Sequence, residues 1–260
     1  MRPSEALRRP LYRLYENRLL RGLDRSRLPG HIGVIHDGHR RFARAAGLPD
    51  YATSYRAGMN KVVDFVGWCR ELEIPAVTCW LLSQENLSRP AAELEPYFEV
   101  LACLFDRLPE EPGAAGMRVR VIGSVDLLPA ALQEAAARLE ARAPEGERRL
   151  TIALAYAGRQ EIVDAVRDLV GELAGAGVPP GEIAGHIDAS ALAAHLYTAD
   201  LPDPDLVIRT SGESRLSGFL LWQAAYAEYS FVDVYWPAFR RVDFLRALRD
   251  FTRRERRFGR

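Results

Sequence analysis

His31-Ile-Gly-Val-Ile-His-Asp-Gly-His-Arg-Arg-Phe-Ala43 decides the fold of this chain. The run Ile32–Ile35 shows no apolar/polar alternation, so a strand there has protein on both faces. Asp37-Gly38 breaks the run, and residues from about 39 to 47 take up helical spacing. A strand buried on both sides that turns directly into a helix is the repeating unit of a parallel α/β sheet.

The pattern recurs outward from that stretch. Apolar runs Ala76–Leu82, Leu150–Ala155 and Leu206–Ile208 each end in polar residues, and Val119–Ile122 and Phe231–Trp236 read as two more strands. Helical spacing fills 39–47, 55–73, 90–108, 126–143, 159–176, 190–198 and about 242–256. Together these predict an α/β fold, a single domain with a central, mostly parallel six-stranded sheet flanked by helices. Ahead of it, Leu7, Leu11, Leu14 and Leu19-Leu20 fall at helical spacing with arginines between them. That segment reads as a helix docked on the domain; peripheral contact with an anionic membrane is the alternative.

The bulk properties narrow the function. The chain is 48% hydrophobic and 27% charged with a formal net charge of zero, which offers no electrostatic footprint for nucleic acid. Lys61 is its only lysine, so anions must be gripped by arginine forks. Cys69, Cys79 and Cys103 lack metal-site spacing and read as buried free thiols of a reducing, cytoplasmic setting. Residues 1–27 have no apolar core of a signal peptide, and no apolar run is long enough to span a bilayer.

In open parallel sheets ligands bind beyond the carboxyl ends of the strands. The residues expected there are Asp37 to Arg41, Ser83 to Asn86 with Arg89, Tyr156 to Arg159, and Arg209 to Arg215. Asp37-Gly38 at a strand-to-helix turn presents free amides to an anion, and Arg40 and Arg41 add charge-assisted hydrogen bonds. A carboxylate in that company suits Mg²⁺ bridging it to a diphosphate; a plain helix cap is the competing reading of Asp37. Arg209, Arg215 and the serines between and after them, including Ser217, suit bidentate phosphate recognition, although a solvated loop with a Glu–Arg pair has the same composition. Glu228 ends an apolar helical run, 219–228, where a carboxylate needs a cation or metal. His31, His36 and His39 invite a transition-metal reading, but strand alternation separates them. The stripe Leu94, Phe98, Leu101 and Phe105 fits a helix packed on the core, or equally the wall of an alkyl tunnel.

These segments resemble the cis-prenyltransferases, the undecaprenyl diphosphate synthase family, from residue 31 to the C-terminus. The likeness rests on His31…Asp37-Gly-His-Arg-Arg-Phe-Ala43, Ser83-Gln-Glu-Asn-Leu-Ser-Arg-Pro90, Tyr156-Ala-Gly-Arg159, Asp205-Leu-Val-Ile-Arg-Thr-Ser-Gly-Glu213, Phe219 to Glu228 and Arg254-Glu-Arg-Arg-Phe-Gly259. It implies an N-terminal helical extension (1–30) and a catalytic domain (31–260) that works as a homodimer. It also implies Mg²⁺-dependent addition of isopentenyl diphosphate to an allylic diphosphate with Z geometry. By the resemblance, Asp37 positions the metal with Glu228, and Gly38, Arg40, Arg41, Phe42 and Arg89 belong to the substrate site. Arg209, Arg215 and Ser217 grip isopentenyl diphosphate, Ser83 and Asn86 stand near the reacting carbons, and the tail with Arg257 and Gly259 reaches the partner's site.

The departures bear on substrate and product. His39 replaces the family's usual Asn and is a candidate proton acceptor. His36 stands where Met is usual, Phe42 where Trp is usual, and Tyr55 replaces a histidine on the diphosphate side. Leu81 occupies a position that is small in long-chain members; with Phe98 and Phe105 nearby it predicts a narrowed tunnel and a product of about C10–C15, as in short-chain actinobacterial Z-isoprenyl diphosphate synthases. The alternatives are a C50–C55 synthase, a non-catalytic partner subunit of the same fold, and a phosphohydrolase built on the His/Asp cluster.

Overall fold

The computed structural model describes residues 5–254. Helix α1 (Glu5–Arg21) precedes strand β1 (His31–Ile35), which turns through Asp37-Gly38 into α2 (His39–Ala45). Then follow α3 (Tyr51–Glu71), β2 (Ala76–Trp80), α4 (Ala91–Arg107), β3 (Met117–Ile122), α5 (Ala130–Arg142), β4 (Arg148–Ala153) and α6 (Gly158–Gly175). Helix α7 (Ala189–Ala194), β5 (Leu206–Thr210), β6 (Glu228–Val232) and α8 (Arg241–Arg253) complete the order. The six strands form one sheet in the order β3-β4-β2-β1-β5-β6, and every pairing is parallel.

Every residue of β1, β2 and β5 is buried, as the unalternating apolar runs require. The larger core lies between the sheet and α3, α4, α5 and α8, around Phe65, Phe105, Trp236 and Phe244. A smaller cluster on the other face packs Trp80 flat against Phe219, ring centroids 5.2 Å apart. Strands β2 to β4 lie on one side of β1, and β5 and β6 on the other. That reversal opens the ligand crevice of such sheets at the carboxyl ends of β1 and its neighbours.

Local chemistry sets the helix starts. Asp50 caps α3 by accepting the amide of Thr53 at 2.7 Å. On the outer side of α3, Lys61 pairs with Asp64 at 2.6 Å and lies over the Trp68 ring. Helix α1 packs on α8, with Leu19 and Leu23 buried and Arg240 and Arg246 stacked on Tyr12 and Tyr15.

Four expectations are corrected. The last strand is Glu228–Val232 rather than Phe231–Trp236; it is a half-exposed edge strand, so its pattern is faint, while the aromatic run after it is bent into a buried turn at Trp236. Residues 219–228 are not a helix but contain a single 3-10 turn, Gln223–Tyr226. Helix α4 buries Leu94, Tyr97, Leu101, Leu104 and Phe105, whereas Phe98 is only partly covered. Cys69 and Cys79 are buried free thiols, but Cys103 is exposed.

Candidate active site

Beyond the carboxyl ends of β1, β2 and β5 opens a cavity of about 590 Å³. Asp37 stands at its mouth, its backbone clamped from two sides. Its amide donates to Thr210 Oγ1 at 3.0 Å, and its carbonyl accepts from the Thr210 hydroxyl at 2.9 Å and the Trp236 amide at 3.0 Å. The helix cap of α2 is Gly38, not Asp37, so the carboxylate is free to face the cavity. Gly38 has φ 103°, and a Cβ there would lie 2.8 Å from Tyr235 and 2.9 Å from Ser211. Only glycine fits this turn.

Arg209, near the carboxyl end of β5, is buried. Its Nη2 donates to Asp37 Oδ2 at 2.9 Å and its Nη1 to Ser217 Oγ at 2.9 Å and to the carbonyl of Arg215. Arg41 donates to Glu213 at 2.8 Å and to the Ser211 hydroxyl, and lies 3.5 Å from Asp37. Arg215 also pairs with Glu213. Ser211 and Ser217 both have positive φ, so the loop after β5 is held in a strained shape, a common feature of ligand clamps. On the facing rim, the Ser83 hydroxyl accepts from the amide of Asn86, and Arg89 holds the Asn86 side chain and Glu93.

Inward, the lining turns apolar: Ile35, Trp80, Leu81, Leu82, Tyr55 and Tyr97. His36 and His39 border it. A carbonyl can only accept, so His36 Nδ1–H donates to the Trp80 carbonyl at 3.3 Å and His39 Nδ1–H to that of Ser54 at 3.4 Å. The Nε2 atom of each is buried without a partner. Burial holds both rings neutral, pulling His36 down to about 3 and His39 to about 4. His31 is elsewhere, its ring bridging Pro202 and Thr78 at the far end of β1, so the three histidines do not converge.

The sequence-predicted residues Asp37, Gly38, His39, Arg40, Arg41, Ser83, Asn86, Arg89, Arg209, Arg215 and Ser217 therefore share one cavity. Phe42 does not line it. Neither do Tyr156 and Arg159: the Tyr156 hydroxyl turns away to the buried Glu161. Glu228 opens β6, in register with Leu206 and Ile32. At about 3.3 Å per residue it lies about 16 Å below Asp37 along the strands, where it pairs with Arg254 at 3.1 Å. Arg257 and Gly259 lie outside the described residues. Glu213 lies, as expected, in the Arg209–Arg215 stretch at the rim, whereas sequence reasoning misses Arg44, Trp80 and Tyr97 as members of the site.

Among the described residues no three His, Cys, Asp or Glu side chains cluster as a metal cage. The mouth offers two carboxylates, Asp37 and Glu213, beside a surplus of guanidinium groups. That donor set fits Mg²⁺, which commonly takes one or two carboxylates and completes its shell with phosphate oxygens and water.

The undecaprenyl diphosphate synthase family matches residues 35–259, and the chain belongs to that family: it is a prenyltransferase. It is 49% identical to the (2Z,6E)-farnesyl diphosphate synthase of Thermobifida fusca, over 97% of this chain and 98% of that protein. It is 45% identical to the tritrans,polycis-undecaprenyl-diphosphate synthase (geranylgeranyl-diphosphate specific) of Methanopyrus kandleri, over 97% and 92%. The crystal structure of lavandulyl diphosphate synthase from Lavandula x intermedia in complex with dimethylallyl diphosphate superposes with a TM-score of 0.82 at 29% identity, covering 90% of this chain and 100% of that one.

Proposed function

We propose that the chain is a Mg²⁺-dependent short-chain cis-prenyltransferase that condenses isopentenyl diphosphate with an allylic diphosphate to a Z-prenyl diphosphate of about C10–C15. The cavity itself carries this reading: a cationic mouth sized for diphosphates opens directly onto an apolar interior that ends at a wall of aromatic side chains. Residues 31–260 form the catalytic domain and 1–30 its N-terminal extension.

Arg40 and Arg41 with the bare Gly38 turn hold the allylic diphosphate, and Arg209, Arg215 and Ser217 hold isopentenyl diphosphate. Asp37 would hold Mg²⁺, which would supply charge neutralisation for the leaving diphosphate. As the allylic C–O bond breaks, the arginine forks stabilise the charge that collects on the diphosphate oxygens. The alkene carbon of isopentenyl diphosphate then bonds to the allylic carbon and one proton leaves. Seating both substrates in one cavity supplies much of the rate. Before substrate enters, Glu213 and Asp37 occupy the arginines, and the incoming diphosphate takes their place.

A homodimer is supported by the sheet's edge, where β6 and its approach expose Leu221, Tyr226 (80% exposed) and Phe231. Glu228, so distant from Asp37 of its own chain, contributes to a metal centre only if two subunits share one. Free thiols support a cytoplasmic location, and no helix of the described residues is long and apolar enough to cross a membrane.

Incubation of the purified chain with Mg²⁺, isopentenyl diphosphate and each of several allylic starters, followed by chromatography, tests the reading. The expected product is about C10–C15; predominantly C50–C55 product overturns the chain length. Turnover only after addition of a second protein indicates a non-catalytic subunit, and phosphate release without isopentenyl diphosphate indicates a phosphohydrolase.

A further inference from the structure

At the mouth, two arginines of different duty meet at one side chain. Glu213 Oε1 accepts from Arg41 Nη1 at 2.8 Å, and Glu213 Oε2 accepts from Arg215 Nη1 at 2.5 Å. On the proposed assignment, Arg41 serves the allylic diphosphate and Arg215 serves isopentenyl diphosphate. One carboxylate therefore blocks a cation of each substrate at the same time.

Neither arginine needs Glu213 to stay where it is. Arg41 keeps its bond to the Ser211 hydroxyl and lies 3.5 Å from Asp37. Arg215 is anchored through its backbone, where the carbonyl accepts from the buried Arg209. Glu213 itself follows Gly212 in a stretch outside any helix or strand, so its side chain can swing away without breaking an element.

The hold on Glu213 is a shared one. The Arg215 side chain is 66% exposed and that of Arg41 is 41% exposed, and a single ion pair that open stabilises little. The carboxylate stays because two weak pairs fix it together. Once a diphosphate takes one arginine, the remaining pair alone must offset the lost freedom of the Glu213 side chain. The new anion beside it also repels the carboxylate, so the second pair breaks readily.

From this geometry we infer that Glu213 couples the two substrate sites, so that whichever diphosphate binds first clears the arginine of the second. The inference rests on the reading of the mouth as two diphosphate sites. Displacement of Glu213 then opposes binding once rather than twice, which is positive cooperativity. Linkage makes it reciprocal, each diphosphate tightening the other by the same factor. Glu213 acts through the arginines and is a positioning residue. Its effect favours the doubly loaded cavity, the only state from which condensation proceeds, over either singly loaded one.

The test is calorimetric titration of the full-length chain in Mg²⁺ buffer, with thermal melts to check folding. Isopentenyl diphosphate is titrated alone, geranyl thiolodiphosphate alone, and isopentenyl diphosphate into chain saturated with the thiolo compound. The thiolo compound keeps the diphosphate head but ionises too slowly to condense. In wild type, the Kd of isopentenyl diphosphate is expected to fall about two- to fivefold once the thiolo compound is bound, the range of one partly exposed ion pair. Glu213→Gln keeps the shape and removes the charge. In it each compound alone is expected to bind about two- to fivefold more tightly than in wild type, and the coupling ratio to shrink to about one. Glu213→Ala is expected to behave in the same way, and if either variant does not fold the other decides. A wild-type ratio of one or less, or variants that keep the wild-type ratio, overturn the coupling. Unchanged or weaker binding of the single compounds in the variants also overturns it, and the weaker case assigns Glu213 to holding the arginines in place. If neither compound binds the wild type, the assignment of two diphosphate sites fails first, an outcome visible before any variant is compared.

Discussion

At the mouth of the cavity Arg41 divides its hydrogen bonds between Glu213 and Ser211, and Arg209 divides its own between Asp37 and Ser217. At the inner wall, His36 and His39 leave Nε2 with no partner at all. The mouth is a set of exchangeable ion pairs, in which an incoming anion replaces internal carboxylates at modest net cost. The inner lining is a set of packed rings in which the two histidine Nε2 atoms find no partner and the Tyr97 hydroxyl is spent on the Leu81 carbonyl. One region selects by charge and geometry and the other by volume, so substitutions in the two should fail in different ways.

The largest effect is expected from Asp37→Ala. Losing the carboxylate that would hold the metal should lower kcat/KM by roughly 10²–10³, the range for a lost transition-state stabiliser, while the melting temperature stays close to wild type. Arg209→Lys comes next. It keeps the charge but not the fork that spans Asp37 and Ser217, and charged hydrogen bonds of about 1.5–3 kcal/mol correspond to a KM for isopentenyl diphosphate roughly 10- to 100-fold higher. If steady-state kinetics show kcat falling with KM unchanged, Arg209 is not the isopentenyl diphosphate grip.

Gly58→Ala attacks the wall from behind. The methyl group meets the His39 ring, so the ring must shift and overpacking should cost about 1–3 kcal/mol. In a chain of this size that is a fall in melting temperature of about 2–4 °C per kcal/mol, read by calorimetry. The smallest effect concerns acid. His36 is held neutral down to about 3, against an ordinary value of 6.5. Below pH 6.5 the unfolded chain takes up a proton that the native ring refuses, so stability falls as pH drops from 6.5 toward 3. The loss is on the order of 1 kcal/mol per pH unit for one such group. His36→Met should flatten the fall of melting temperature between pH 6.5 and 4; His39, displaced in the same direction, keeps part of the slope.

The mouth is far more legible in the sequence than the wall. Asp37-Gly38 and Arg209 to Ser217 are contiguous, polar and placed at strand ends, so pattern alone brings them together. Tyr97 has no such signal. The stripe through Leu94, Phe98 and Leu101 favours the neighbouring Phe98, because apolar spacing cannot see that a tyrosine hydroxyl will find the carbonyl of Leu81 across the fold. The seat of His39 on Gly58 is equally tertiary, a contact between residues whose sequence separation encodes nothing about it. Glu228 is misplaced by pattern for another reason: an edge strand, half exposed, lacks the apolar run that marks β1 and β5, so the spacing puts the carboxylate on a helix rather than at a strand's start. The central strands are readable because both of their faces are buried.

The near-absence of lysine has a practical side. The side chain of Lys61, braced by Asp64 and Trp68 on α3, does not line the cavity. Amine-directed labels therefore have one ε-amino group to find, away from every guanidinium at the mouth. A fluorophore or surface tether placed there would sit away from the mouth, while an arginine-selective dicarbonyl reagent would strike the mouth and be shielded by bound diphosphate.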